Sequence, residues 1–206
     1  MRVSRIHDVR MTLGRPQLED ALATLGGVLA RRSLAYEVVL VGGGSLLLRG
    51  IIERPTKDVD LLGIRLESGG IISLDTLPEP LTRAVRDVGL ALGLAADWLN
   101  LGPAPLLDLG LPPGFADRLS RIAFESFVVW YAGAYDLTCF KLYAAADHWP
   151  SKDRHLDDLR ALRPTREQLL EAARWARTHD ASPGFLSLLT AVLREVGVED
   201  ADVALR

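Results

Sequence analysis

Apolar positions along this chain repeat at two spacings, and each spacing predicts a different kind of element. Residues 18–29 carry apolar side chains three and four positions apart, which predicts an amphipathic helix from Pro16 to about Arg31. The apolar run Val38–Val41 is rich in β-branched side chains and predicts a buried strand. The chain is therefore expected to open with a helix that leads into a strand.

The middle of the chain mixes both spacings. A second strand is expected over residues 58–64 and a short third one over Ile71–Leu74. Apolar residues spaced for a helix follow over 81–92, and Gly93 is a stop signal for it. Four prolines predict an irregular loop over 101–117. The residues Ile122–Trp130 alternate in the way that predicts a further strand.

After this strand the pattern becomes helical and stays so. Four helices are expected, over about 136–148, 152–162, 165–179 and 183–196, with a frayed tail from Glu199. Thr165 and Gln168 form a capping-box pattern at the start of the third of these helices. We therefore predict an α/β (α+β) fold, with a small mixed-sheet core in residues 1–133 packed against a helical C-terminal domain in residues 134–206.

Composition narrows the class of protein without naming a function. The chain is 49% apolar and 25% charged with a net charge of −3, as in an ordinary globular protein without a global basic field for nucleic acid. Its single cysteine, Cys139, excludes an intramolecular disulfide. No segment reaches the roughly 18–20 apolar residues of a membrane span. We expect a cytoplasmic protein with no membrane partner.

The residues after the first strand carry the first candidate chemistry. Gly42, Gly43 and Gly44 follow Val41 directly and allow a sharp turn and a close approach to a ligand. Ser45 is predicted to cap the short helix that begins there, whose N-terminal N–H groups suit a phosphate.

Two carboxylates follow on the second strand. Asp58 and Asp60 are two positions apart, so their side chains are expected on one face of the strand. Hard oxygen ligands of this kind suit Mg²⁺ held together with substrate phosphates. The alternative is a glycine turn followed by a solvated acidic strand end, which the apolar neighbours Val59 and Leu61 make less favourable.

Gly44-Ser45, then twelve residues, then Asp58-Val59-Asp60 resembles the defining motif of the polymerase-β-like nucleotidyltransferase superfamily. The residues leading into it, Arg54-Pro55-Thr56-Lys57, resemble the AbiEii-type branch of bacterial toxin nucleotidyltransferases. The resemblance implies that Gly43, Gly44, Ser45 and Lys57 bind the nucleotide. It also implies that Asp58 and Asp60 hold Mg²⁺ as catalytic residues.

The helical half carries a second resemblance to the AbiEii-type enzymes, in Lys141, then Asp153, then Asp157-Asp158-Leu159. It implies that Lys141 contacts the phosphates of the nucleotide. Asp153 or Asp157 would then orient Lys141 or position the attacking hydroxyl, so both are candidate catalytic residues. The alternative is an ordinary salt bridge between Lys141 and an aspartate of the next helix.

Many enzymes of this superfamily add a third carboxylate from a later strand. Asp97 and Glu125 are the candidates for that place, and neither has a sequence context that decides between them.

The resemblance implies Mg²⁺-dependent transfer of a nucleoside monophosphate from a nucleoside triphosphate to an acceptor hydroxyl. By family resemblance the acceptor is tRNA, and a cognate antitoxin protein is an expected partner. Two alternatives stay open: a small-molecule acceptor of the antibiotic type, and a non-catalytic nucleotide- or partner-binding module on the same fold.

Overall fold

The computed structural model describes residues 11–151 and 154–205, which contain a six-stranded mixed sheet. The strands are Tyr36–Leu40 (β1), Val59–Arg65 (β2), Ile71–Ile72 (β3), Leu99–Asn100 (β4), Ser120–Phe124 (β5) and Phe127–Tyr131 (β6). Five of them lie in the order β3-β2-β1-β6-β5, and β4 pairs with the first half of β2. The pairs β1–β6 and β2–β4 are parallel, and the other pairs are antiparallel.

Helices cover both faces of this sheet. They are Arg15–Arg31 (α1), Gly42–Leu48 (α2), Glu79–Leu92 (α3), Pro105–Leu109 (α4), Ala134–Asp147 (α5), Arg154–Leu162 (α6), Arg166–His179 (α7), Pro183–Glu195 (α8) and Ala201–Ala204 (α9). The α+β fold predicted from the sequence is therefore confirmed. Within the described residues, no helix combines the length and the apolar character needed to cross a membrane.

Alternation along the two central strands divides the core between the faces of the sheet. Val38 and Leu40 of β1 belong to an apolar cluster with α1 and α3, whereas Val39 belongs to a cluster with α5, α7 and α8. On β2, Leu61 joins the first cluster and Leu62 joins the second. Strand residues thus share one core with the C-terminal helices, while the domain boundary at 133/134 stays a prediction.

Gly26 explains how α1 packs so closely on the sheet although glycine disfavours helices. A Cβ atom built on Gly26 would overlap the carbonyl oxygen of Phe124 at the end of β5. The missing side chain therefore lets the helix backbone lie directly against the β5–β6 turn. The cost of a helical glycine, about 1 kcal/mol relative to alanine, is offset by this close packing.

Three sequence predictions about element boundaries were wrong. The single strand Ile122–Trp130 is a hairpin, because Glu125 takes a left-handed backbone with φ of 47° and turns the chain between β5 and β6. The irregular loop 101–117 contains α4 and a 3₁₀ turn at Phe115–Arg118. The tail expected to fray from Glu199 forms α9, whose Ala201 is buried.

A buried ion pair fixes the start of α5 and supports a stability prediction. Asp136 is fully buried, and Arg118 donates to both of its carboxylate oxygens, at 3.1 and 2.6 Å. We expect Arg118→Met to lower the free energy of unfolding by about 3 kcal/mol, since it leaves a buried carboxylate without its partner. Urea denaturation followed by circular dichroism measures this loss.

Arg83 provides the control for that measurement. It pairs with Glu79 on α3, where both side chains are about two-thirds exposed. Exposed pairs of this kind contribute less than about 1 kcal/mol, so Arg83→Met should change the free energy of unfolding little. Equal losses in the two variants would mean that the Arg118–Asp136 pair is no more than a surface contact.

Candidate active site

The glycine turn places the backbone of α2 directly beside Asp60. The helix begins at Gly42, which takes a left-handed backbone with φ of 66° that side-chain-bearing residues rarely adopt. A Cβ atom at Gly42 would also collide with the Asp60 carboxylate. Glycine is therefore required here twice, for its backbone angle and for the space that Asp60 occupies.

Ser45 does not cap α2 as the sequence predicted, while its contact with the nucleotide stays a prediction. The residue at the N-cap of α2 is Val41, and Ser45 lies fully buried inside the helix. Its hydroxyl donates to the carbonyl oxygen of Leu40 at 2.8 Å, which fastens α2 to the end of β1. Gly44 is buried against the Leu40 side chain as well, whereas Gly43 lines the pocket that holds the carboxylates.

The two aspartates are positioned by strand alternation and by a threonine. Asp60 alternates with Val59 and Leu61, which are buried against α1 and α3, so its side chain projects from the face that α5 covers. Asp58 lies just before β2 and is oriented by Thr56, whose hydroxyl donates to the Asp58 carbonyl oxygen at 3.0 Å. The backbone of Thr56 is in turn paired with Leu13 in both directions.

The surroundings of Asp60 act on the pKa of its carboxyl in opposite directions. Burial raises the pKa of its carboxyl, and the neighbouring Asp58 carboxylate raises it further. Lys141, Arg154 and a side-chain hydrogen bond with Asn100 act in the opposite direction, and the net direction is upwards. Two half-buried carboxylates that repel each other are a favourable place for a cation.

Lys141 on α5 points towards these carboxylates, and α6 holds it there. Its ammonium lies 2.8 Å from Asp158 Oδ2, and the two side chains are only 8% and 2% exposed. Arg54 donates to the other oxygen, Asp158 Oδ1, at 2.6 Å. Asp158 is thus clamped between two cations, and the amine of Lys141 is held at a fixed place instead of moving in solvent.

The contact expected of Asp157 is made by its neighbour. Asp157 is 71% exposed and pairs with Arg160 on its own helix, at 3.5 Å. Lys141 is therefore oriented by Asp158 and not by Asp157, whereas the other role predicted for Asp157, positioning the attacking hydroxyl, stays a prediction. Asp153, the other candidate, lies outside the described residues.

Four of the predicted site residues, Gly43, Asp58, Asp60 and Lys141, meet in one small pocket between β2, α5 and α6. It is lined by Gly43, Arg54, Thr56, Asp58, Asp60, Lys141, Arg154, His155 and Asp158. Its volume of about 30 Å³ has room for a cation and a water molecule. A nucleotide could therefore insert phosphate oxygens while its base stays outside. Lys57, also predicted to bind nucleotide, is exposed and does not belong to this lining.

Neither candidate for a third carboxylate reaches the pair. Asp97 is exposed in the turn before β4, and Glu125 lies in the β5–β6 turn at the opposite end of the sheet from Asp60. The residue beside Asp60 on the neighbouring strand is Asn100. Among the described residues, no group of three or more His, Cys, Asp or Glu side chains is arranged to hold a metal ion.

Sequence reasoning missed Arg54, Asn100 and Asp158, and one of them had a usable signal. At roughly 100° per helical residue, Asp157 lies about 160° from the buried Leu159, whereas Asp158 lies about 100° from it. A helical wheel of α6 therefore favours Asp158 as the residue that faces the core. Asn100 had no such signal, since β4 has only two residues.

Residues 17–159 match the family model described as "Nucleotidyltransferase of unknown function (DUF6036)". The matched segment contains the glycine turn, both aspartates of β2, Lys141 and Asp158. No curated protein and no solved structure matched the chain.

Proposed function

The chain belongs to the family of nucleotidyltransferases of unknown function DUF6036, and from this premise we propose its reaction. It transfers a nucleoside monophosphate from a nucleoside triphosphate to an acceptor hydroxyl, with Mg²⁺ bound at Asp58 and Asp60. The observation that carries the proposal is the shared pocket of these two carboxylates and the nearly buried Lys141. An ammonium facing two carboxylates matches a ligand that carries both a divalent cation and phosphates.

The donor set fits magnesium. Asp58 and Asp60 offer hard carboxylate oxygens, and Mg²⁺ is commonly bound by one or two carboxylates together with phosphates and water. The metal would supply charge neutralisation of the triphosphate and polarisation of the reacting phosphoryl group. The Thr56 hydroxyl holds the Asp58 backbone in place for it, and Asn100 lies beside Asp60 on the neighbouring strand.

The protein's own part in the reaction is positioning and charge. The acceptor oxygen forms a bond to the α-phosphorus while the bond from that phosphorus to the α–β bridging oxygen breaks. Pyrophosphate leaves with the bonding electrons, and the hydroxyl proton passes to solvent. Lys141 is held by Asp158 where it can donate to phosphoryl oxygens as their negative charge grows. Gly43 lets the phosphates approach the start of α2 closely.

We propose tRNA as the acceptor, with the AbiEii-type resemblance as the main support. Of the arginines in the segments flanking the pocket, Arg154 lines it, and Arg54 adds a second, partly exposed cation at its edge. Arg118 and Arg160 are engaged in ion pairs with Asp136 and Glu195. The cations that an RNA end would meet at the pocket are therefore Arg154 and Arg54, of which Arg54 also pairs with Asp158.

The test is transfer from triphosphates labelled at the α-phosphate to total RNA in the presence of Mg²⁺. Label is expected in the tRNA band, and triphosphates labelled at the γ-phosphate should give none, since that phosphate leaves with pyrophosphate. Binding of a tRNA end by a few cations should also weaken as salt is raised.

The other outcomes distinguish the alternatives. Label on a small molecule from a cell extract, with RNA unlabelled, would replace tRNA by a small-molecule acceptor. Triphosphate binding without any transfer would support a non-catalytic binding module. Failure to bind a triphosphate at all would overturn the proposed reaction together with its acceptor.

A further inference from the structure

Asn100 stands beside Asp60 in a way that limits what the pocket can bind. The two residues are direct partners in the parallel pair β2–β4, at the outer edge of β2. Since paired residues of neighbouring strands project from the same face of a sheet, the Asn100 side chain lies beside the Asp60 carboxyl and lowers its pKa. Its own oxygen, Oδ1, accepts the backbone N–H of Gly102 at 2.8 Å, so that the NH₂ group is the end left to face Asp60.

The turn after β4 maintains this orientation. A Cβ atom at residue 102 would lie 3.0 Å from Asn100 Oδ1 and 4.0 Å from Asp60 Oδ1, so glycine allows the chain to pass closely behind both side chains. Asn100 is therefore fixed from two directions, by its strand register and by the N–H of Gly102. An amide locked in this way cannot present an oxygen to a cation at Asp60.

Among the residues that the structure describes, the charges that line the pocket balance without a metal. The carboxylates are those of Asp58, Asp60 and Asp158, and the cations are those of Arg54, Lys141 and Arg154. One divalent ion adds two positive charges, which a bound triphosphate offsets. A second divalent ion would need further anionic ligands, and the position nearest to Asp60 offers an amide instead.

We propose that Asn100 is a positioning residue that fixes Asp60 and restricts the pocket to one divalent cation per chain. This inference rests on the proposed function, because it assumes that Asp58 and Asp60 bind a metal with the nucleotide. The second positive charge that a two-metal site would supply to the phosphates is provided here by the ammonium of Lys141.

Counting bound Mn²⁺ tests the proposal without measuring transfer. Free Mn²⁺ is followed by electron paramagnetic resonance while it is titrated into the protein with a triphosphate analogue that has a methylene group between the α- and β-phosphorus atoms. With the analogue at the same concentration as the chain, we expect one bound ion per chain, shared by the two aspartates and the phosphates, with a higher affinity than in the free analogue measured in parallel. Asn100→Asp supplies an additional carboxylate beside Asp60 and should bind a second ion.

Two further variants distinguish loss of the positioning of Asp60 from a nonspecific effect of substitution on ion binding. Asn100→Ala should still bind one ion, with an affinity roughly 10–100-fold weaker, the usual effect of losing a group that orients a metal ligand. Asp97→Asn removes a carboxylate three residues earlier, in the exposed turn, and should change neither count nor affinity. Circular dichroism of each variant checks that it is folded.

The number of bound Mn²⁺ ions tests the restriction to one cation separately from the proposed reaction. Two ions on the unmodified protein would overturn the restriction to one cation and leave the proposed reaction standing. A single ion on folded Asn100→Asp would overturn the role of Asn100 in that restriction. An ion affinity no higher than that of the free analogue would overturn the proposed metal site and this inference with it.

Discussion

Asp60→Asn is expected to lower nucleotidyl transfer by about 10³-fold or more while making the protein more stable. The loss follows because an amide replaces a charged oxygen at the place where metal and phosphate charge must be held. The gain follows from the raised pKa of Asp60, whose main causes are burial and the neighbouring Asp58. Transfer of α-phosphate label and thermal melting in the absence of divalent ions measure the two effects.

The sign of the stability change follows from proton linkage. A carboxyl whose pKa is raised on folding holds its proton more tightly in the folded state, so ionisation above that pKa favours the unfolded chain. The cost is absent below the ordinary value of 3.8, grows between that value and the raised pKa, and is complete above the raised pKa. Asparagine removes it. Each gain of about 1 kcal/mol would raise the melting midpoint by roughly 2–4 °C.

Asp157→Asn is the matched control, since it makes the same chemical change on an exposed residue that pairs with Arg160. Its transfer rate should stay at the level of the unmodified protein, and its stability should change by less than about 0.5 kcal/mol. Retained transfer in Asp60→Asn would remove Asp60 from the reaction. Loss of transfer in Asp157→Asn would restore Asp157 as a candidate.

The parts of the site that could be predicted from the sequence are those that depend on short-range periodicity. The spacing of two predicted that Asp58 and Asp60 lie close together, and both line one pocket, although only Asp60 is a residue of β2. The glycine turn could be located because a buried strand preceded it. These features follow from the chain within a few residues and need no knowledge of distant contacts.

The errors arose where tertiary packing decides the role of a residue. Ser45 was expected to cap a helix, but α2 begins three residues earlier and buries its hydroxyl against Leu40. Asp97 and Glu125 are candidates for a third carboxylate in the sequence because their residue type alone suits a metal ligand. The residue beside Asp60 is Asn100, because the two-residue strand β4 pairs with β2. A strand of two residues is too short to show a periodic pattern in the sequence.

Lys141 is expected to have two roles, as the ion-pair partner of Asp158 and as a donor to the phosphates. A double substitution separates them. Lys141→Met should lower stability by roughly 3 kcal/mol, because it takes one of two partners from the buried carboxylate of Asp158. It should also lower transfer by about 10²–10³-fold, the usual cost of removing one preorganised donor to transition-state charge. Urea denaturation and single-turnover transfer give the two quantities for each variant.

Lys141→Met combined with Asp158→Leu should recover much of the stability and none of the transfer. With both charges gone, no buried ion is left unpaired, and replacing a buried ion pair by apolar side chains is often nearly neutral for folding. The ammonium that faces Asp58 and Asp60 is still absent, so the reaction has no reason to return. If transfer recovered together with stability, Lys141 would be a structural partner of Asp158 alone, and α5 and α6 would serve as scaffold for the carboxylates.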